Sequence, residues 1–99
     1  MPKITVTISP ARRLGCKASV DKEKVKVSQG KGDYVEWKCT GKKNFVVAFT
    51  KETPFKEWYF YPGKNGSGPP TVDPDSQKQY KYTVLVDGTV LDPIVIIIP

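Results

Sequence analysis

Apolar and polar residues alternate with a period of two along most of this chain. Ile4, Val6 and Ile8 alternate with Thr5 and Thr7, and Val25 and Val27 with Lys24 and Lys26. Val35, Trp37 and Cys39 alternate with Tyr34, Glu36 and Lys38. Phe45, Val47 and Phe49 form another set, and Tyr80, Tyr82, Val84 and Val86 a further one. Successive side chains of an extended strand point to opposite faces, so each set reads as a strand with one face turned inward. No window shows the three- and four-residue spacing of a helical stripe. The chain is therefore confined to β architectures.

Ninety-nine residues make one domain, residues 1–99, with a single modest core and little room for a deep cleft. The strands are separated by turn chemistry. Gln29-Gly30-Lys31-Gly32-Asp33 parts two of them, and Thr40-Gly41-Lys42-Lys43-Asn44 reads as a hairpin loop. Asp87-Gly88 signals a tight turn, because Asp and Gly tolerate positive φ. The seven residues Tyr80 to Val86 read as one strand. Residues 54–78 differ: Pro54, Pro62, Pro69, Pro70 and Pro74 each remove a ladder donor, so this stretch reads as a long loop. About seven short strands result. The expected fold is an all-β Greek-key sandwich, and the same alternation permits an immunoglobulin-like sandwich. The two terminal strands are expected to leave open sheet edges that a partner strand would pair with.

Val25-Lys26-Val27, Gly32-Asp33-Tyr34-Val35-Glu36-Trp37, Phe45-Val46-Val47-Ala48-Phe49, Tyr80-Lys81-Tyr82-Thr83-Val84 and the final apolar strand together resemble the cupredoxins. The resemblance covers roughly residues 20–98 and implies a cupredoxin-like sandwich. It also implies where the copper ligands would stand. Phe45 falls at the first His position and Val84 at the Cys position, while Leu85 to Leu91 contains neither the second His nor the axial Met. A type 1 site takes two imidazole nitrogens and a thiolate. The chain has no histidine, and its one methionine is Met1. It thus resembles cupredoxin-like domains that keep the sandwich and lack copper, and no cofactor is expected.

Other chemistries fail on composition. Nucleophilic triads need a base, usually His, beside Ser or Cys. Glu52 and Glu57 read as solvated carboxylates with nothing to fix their spacing. Gly63-Lys64-Asn65 departs from the Walker pattern, and Pro69-Pro70 forbids the helix that pattern needs. Asp73-Pro74-Asp75 offers too few oxygen ligands for Ca²⁺ and reads as turn. Cys16 and Cys39 are too few for a zinc site. The expectation is two free thiols in a reducing cytoplasm, with a Cys16–Cys39 bridge the alternative for an exported mature form. No secretory signal and no apolar stretch of membrane-spanning length is visible, so no membrane partner is expected.

Binding is left. Residues 1–43 hold eleven Lys or Arg against four Asp or Glu, and residues 44–99 hold five against six. That basic excess reads as a solvated strand face or as an attraction to anions. Trp58-Tyr59-Phe60-Tyr61 sits between Lys56 and Lys64. Alternation would send Trp58 and Phe60 inward with Phe55, to cap the core, and Tyr59 and Tyr61 the other way, under the Pro-rich loop. Aromatics beside cations also stack on bases or sugars. The candidate binding residues are therefore Lys56, Trp58, Tyr59, Tyr61 and Lys64. The leading expectation is a non-enzymatic domain, monomeric or weakly self-associating, that contacts an unidentified protein partner or serves as a structural module. The alternative is a binder of nucleic acid or an acidic polysaccharide.

Overall fold

The structure is a computed structural model that describes residues 3–10, 18–42, 44–72, 75–86 and 88–99. Ten strands run through them: β1 Lys3–Ser9, β2 Ser19–Val20, β3 Lys24–Ser28, β4 Tyr34–Cys39, β5 Phe45–Ala48, β6 Tyr59–Phe60, β7 Lys78–Lys81, β8 Thr83–Val86, β9 Thr89–Leu91 and β10 Ile94–Ile98. Among the described residues the only helical turn is a short 3-10 segment, Thr40–Lys42, interrupted by Gly41 at φ 73°. The strands form three sheets, β2-β1-β4, β3-β10-β7 and β6-β5-β8-β9. This is an all-β, sandwich-like architecture. The additional short strands, β2, β6 and β9, have two or three residues each, too few for alternation to announce them.

Three expectations about connectivity are corrected. Thr40–Asn44 does not close a hairpin, because β4 pairs with β1 while β5 pairs with β6 and β8. The run Tyr80 to Val86 is two strands: β7 pairs with β10, β8 pairs with β5, and the chain changes sheets at Tyr82. The terminal strands are not edges. β1 lies between β2 and β4, and β10 between β3 and β7. The physical reason for β10 is burial on both faces, which suits a continuous Ile94–Ile98 run and its parallel pairing with β3. The Asp87-Gly88 turn does close a hairpin, β8 to β9, with Gly88 at φ 74°. Asp87 itself lies outside the described residues.

Inward side chains meet in one apolar core. Trp37, from β4, is its centre. Its ring centroid lies 4.8 Å from Phe60, 5.7 Å from Tyr82 and 6.4 Å from both Phe49 and Phe55. Each such pair adds roughly 0.5–1.5 kcal/mol beyond area burial. The indole N–H donates to the Tyr82 hydroxyl at 3.3 Å, so the two buried polar tips satisfy each other. Burial pushes the Tyr82 phenol up to about 12, an effect the Trp37 bond opposes and the Asp21 carboxylate reinforces.

The long loop has a structural task. Along β4, Trp37 N–H donates to the Asn65 carbonyl at 2.9 Å, and the Asn65 side-chain amide donates to the Trp37 carbonyl at 2.9 Å. One step on, Ser67 N–H donates to the Val35 carbonyl at 2.7 Å, and Val35 N–H donates to Ser67 Oγ at 2.8 Å. Residues 65–67 thus satisfy the outer edge of β4 as a strand would, with side chains supplying half the bonds.

Candidate interaction surface

Sheet β6-β5-β8-β9 carries the most unusual surface. None of its strands contains a charged residue, although 26% of the chain is charged. Its inner face is core: Phe45, Val47, Val84, Val86 and Phe60 are all buried. Phe45 faces Val86 and Val47 faces Val84 across the β5–β8 ladder. The two positions that the resemblance assigns to copper ligands thus hold packed apolar side chains.

The outer face of that sheet is also apolar. Val46 pairs with Leu85, and Leu85 with Val90. Residues directly opposite in a ladder share a face, so these three form a row across β5, β8 and β9. Tyr59, opposite Ala48, falls on the same face, while Tyr61, past the end of β6, pairs its backbone with Lys64. Leu85, Val90 and Tyr59 are 45%, 58% and 60% exposed. All the exposed large apolar residues among those described, Trp58 and Tyr61 excepted, lie here. Monomers rarely leave a contiguous apolar patch uncovered without a use for it.

The aromatic run does not behave as alternation predicts. Phe60 and Phe55 are in the core, but Trp58 is 43% exposed and outside the core cluster. The reason is length: β6 is only Tyr59–Phe60, paired with Val47 and Ala48, and Trp58 beyond it keeps a backbone bond to the sheet, its carbonyl accepting from Phe49 N–H at 2.8 Å, while its side chain stays partly exposed. Nor do the tyrosines pack beneath the Pro-rich loop; both are exposed. Lys64 is paired with Glu57 at 3.0 Å, while Lys56 makes no ion pair among the described residues. The predicted residues therefore divide. Tyr59 joins the apolar face, Tyr61 and Trp58 are exposed beyond the ends of β6, and Lys64 is already paired with Glu57.

The basic excess lies on other sheets. Lys24 and Lys26 project from β3 with no ion pair among the described residues. Lys3 and Lys38 share Glu36 at 3.7 and 3.5 Å. Lys22 is paired with Asp21 at 2.9 Å. Partial burial tends to raise the Asp21 pKa, but the Lys22 ammonium and the Thr7 N–H outweigh it and hold that carboxyl below its ordinary value. Arg12, Arg13, Lys17 and Lys43 lie outside the described residues. So do Asp73, Pro74 and Cys16, and with Cys16 the question of a bridge. Cys39 ends β4 half-buried, its Sγ 3.5 Å from the Thr40 carbonyl oxygen.

Among the described residues no group of three or more His, Cys, Asp or Glu converges, and no helix is long and apolar enough to cross a membrane. Compared with known proteins, the chain matches no family model, no curated protein and no solved structure.

Proposed function

We propose that this chain is a non-enzymatic β domain, cupredoxin-like in its Greek-key topology and without copper, that works by protein contact through the outer face of sheet β6-β5-β8-β9. The Val46–Leu85–Val90 row carries this reading: it is apolar, exposed and free of charged neighbours on its own strands. A protein partner gains free energy by covering such a surface, at roughly 25 cal/mol per Å² of apolar area. A photo-crosslinking residue at Val90 should yield a discrete protein adduct that Leu85→Lys abolishes, while the same probe at Lys26 yields none. Equal yields from both positions would overturn the reading.

The copper-free part is tested separately. Adding Cu²⁺ to the reduced protein should produce no intense thiolate-to-copper band in the visible range, since the imidazoles of that site are missing.

A second reading, anion binding, draws on unpaired Lys24 and Lys26 and on the exposed tyrosines. These groups lie on different sheets, which weakens it. Labelled single-stranded DNA titrated at two salt concentrations decides the matter. Tight binding that collapses with salt, and with Trp58→Ala plus Tyr61→Ala, would favour this reading instead.

A further inference from the structure

The place where β7 gives way to β8 leaves a gap in the sheet system. Ala48 pairs with Thr83, so the same register would put Thr50 opposite Lys81 and Glu52 opposite Gln79. That continuation does not form, because the chain bends away at Thr50 and Lys51. On the far side β7 is held by β10. Tyr82 N–H donates to the Pro93 carbonyl at 3.1 Å, which fixes the alternation: Tyr80 and Lys78 turn their backbone groups toward β10. The N–H and C=O of Gln79 and Lys81 consequently point away from β10, into the gap. Among the described residues nothing hydrogen-bonds to them.

The gap is a cleft of about 500 Å³, with Tyr80 and Tyr82 beneath and Thr50 to Glu52 opposite. It continues past the Lys78–Glu52 ion pair, 3.4 Å long, to the exposed Trp58 and half-buried Val72. Lys78 also lies over the Tyr80 ring, 5.3 Å from its centroid.

We propose that this cleft binds an extended segment of a partner protein, which adds as a strand to the free edge of β7 and alternates carboxylate with apolar side chains. Backbone pairing follows from the unmet groups of Gln79 and Lys81. Alternation follows from the pleat. One set of ligand side chains lies beside Gln79 and Lys81 on the outer face, the other over Tyr80 toward Trp58 and Val72. The acidic preference follows from charge. Lys51 and Lys81 line the cleft without ion pairs, whereas Lys78 is already held by Glu52. Asp92 stands at the other end of the cleft, near Thr83, and disfavours a further carboxylate there. This site shares no residue with the Val46–Leu85–Val90 row, so the two proposals fail independently.

The test uses the isotopically labelled full chain and three end-blocked hexapeptides: alternating Glu-Val, alternating Lys-Val, and the Glu-Val peptide with N-methylated backbone amides. The Glu-Val peptide should shift the amides of Gln79 and Lys81 and the Trp58 indole, and bind at least about tenfold tighter than the other two. Lys51→Glu with Lys81→Glu, both surface changes, should transfer that preference to the Lys-Val peptide. Gln79→Pro removes an outward donor without touching the β10 ladder and should weaken binding of either peptide. Equal affinity for acidic and basic peptides would overturn the proposal. So would shifts confined to Val46, Leu85 and Val90, or no shift with any peptide at millimolar concentration.

Discussion

Two outer faces of this molecule are built from the same kind of row and finished differently. On sheet β3-β10-β7 the rows run Lys24–Ile94–Lys81 and Lys26–Ile96–Gln79. An isoleucine sits in the middle with long polar side chains on either side. Long polar side chains of this kind can cover apolar neighbours with their hydrocarbon stems while their heads stay in water, and Ile96 is only 5% exposed. On sheet β6-β5-β8-β9 the row runs Val46–Leu85–Val90, with no such flanks. Apolar residues on an outward face are therefore not in themselves a sign of a binding surface here. The sign is the missing lysine on the neighbouring strand.

The contrast can be broken most severely from beneath. If both faces are skins of one core, Trp37→Ala should cost about 3–5 kcal/mol, because it empties the centre of the aromatic cluster. Denaturant unfolding followed by amide signals from β8 and from β10 should show a single transition. Survival of one sheet after the other has melted would mean two cores and two independent surfaces.

Tyr82, where the chain passes from one sheet to the other, supplies a milder lever. Tyr82→Phe leaves the Trp37 N–H without its acceptor and should cost about 1 kcal/mol at neutral pH. The folded phenol titrates near 12 rather than at the ordinary 10.0. The folded state thus holds this proton more tightly than the unfolded chain. Stability is fully present below the ordinary value and is lost as pH rises from there through about 12. Alkaline denaturation curves should show that loss in the parent protein and a flatter profile in Tyr82→Phe. Identical profiles would place the alkaline sensitivity in another group.

The smallest effect on stability is expected where the faces themselves are exchanged. Leu85→Lys gives the bare row a lysine flank, and Lys26→Val strips one from the guarded sheet. Both are surface changes and should move the unfolding free energy by no more than about 0.5 kcal/mol. Self-association measured by sedimentation should fall in the first and rise in the second. No change in either would show that the lysine flanks are irrelevant to how these faces behave.

Much of the fold was legible because alternation is a local signal. β1, β3, β4, β5 and β10 stand where Ile4, Val25, Val35, Phe45 and Ile94 open their patterns. The break at Tyr82 was not legible, since Tyr82 keeps its inward direction while its strand changes partners. The central place of β10 had a readable sign. Five successive apolar residues suit a strand buried on both faces, which an edge strand is not. The site was less legible. Tyr59 was singled out for lying between lysines, yet it belongs with Val46, Leu85 and Val90, residues brought together only by ladder register. Trp58 was assigned inward on parity alone, and parity carries no information once a two-residue strand has ended. The cleft beside β7 depends on Thr50 bending away from a partner 31 positions along the chain.

The chain's two tryptophans sit in different environments, Trp37 fully buried and Trp58 partly exposed. Trp37, sealed among rings and hydrogen-bonded to a phenol, should emit at short wavelength and change only when the whole molecule unfolds. Trp58, at the open end of the β7 cleft, should emit at long wavelength and be quenched by iodide or acrylamide. A single emission spectrum therefore contains one band that reports global order and another that reports what occupies the surface. Resolving them needs no label: Trp58→Phe leaves the first band by itself, and the difference spectrum is the second.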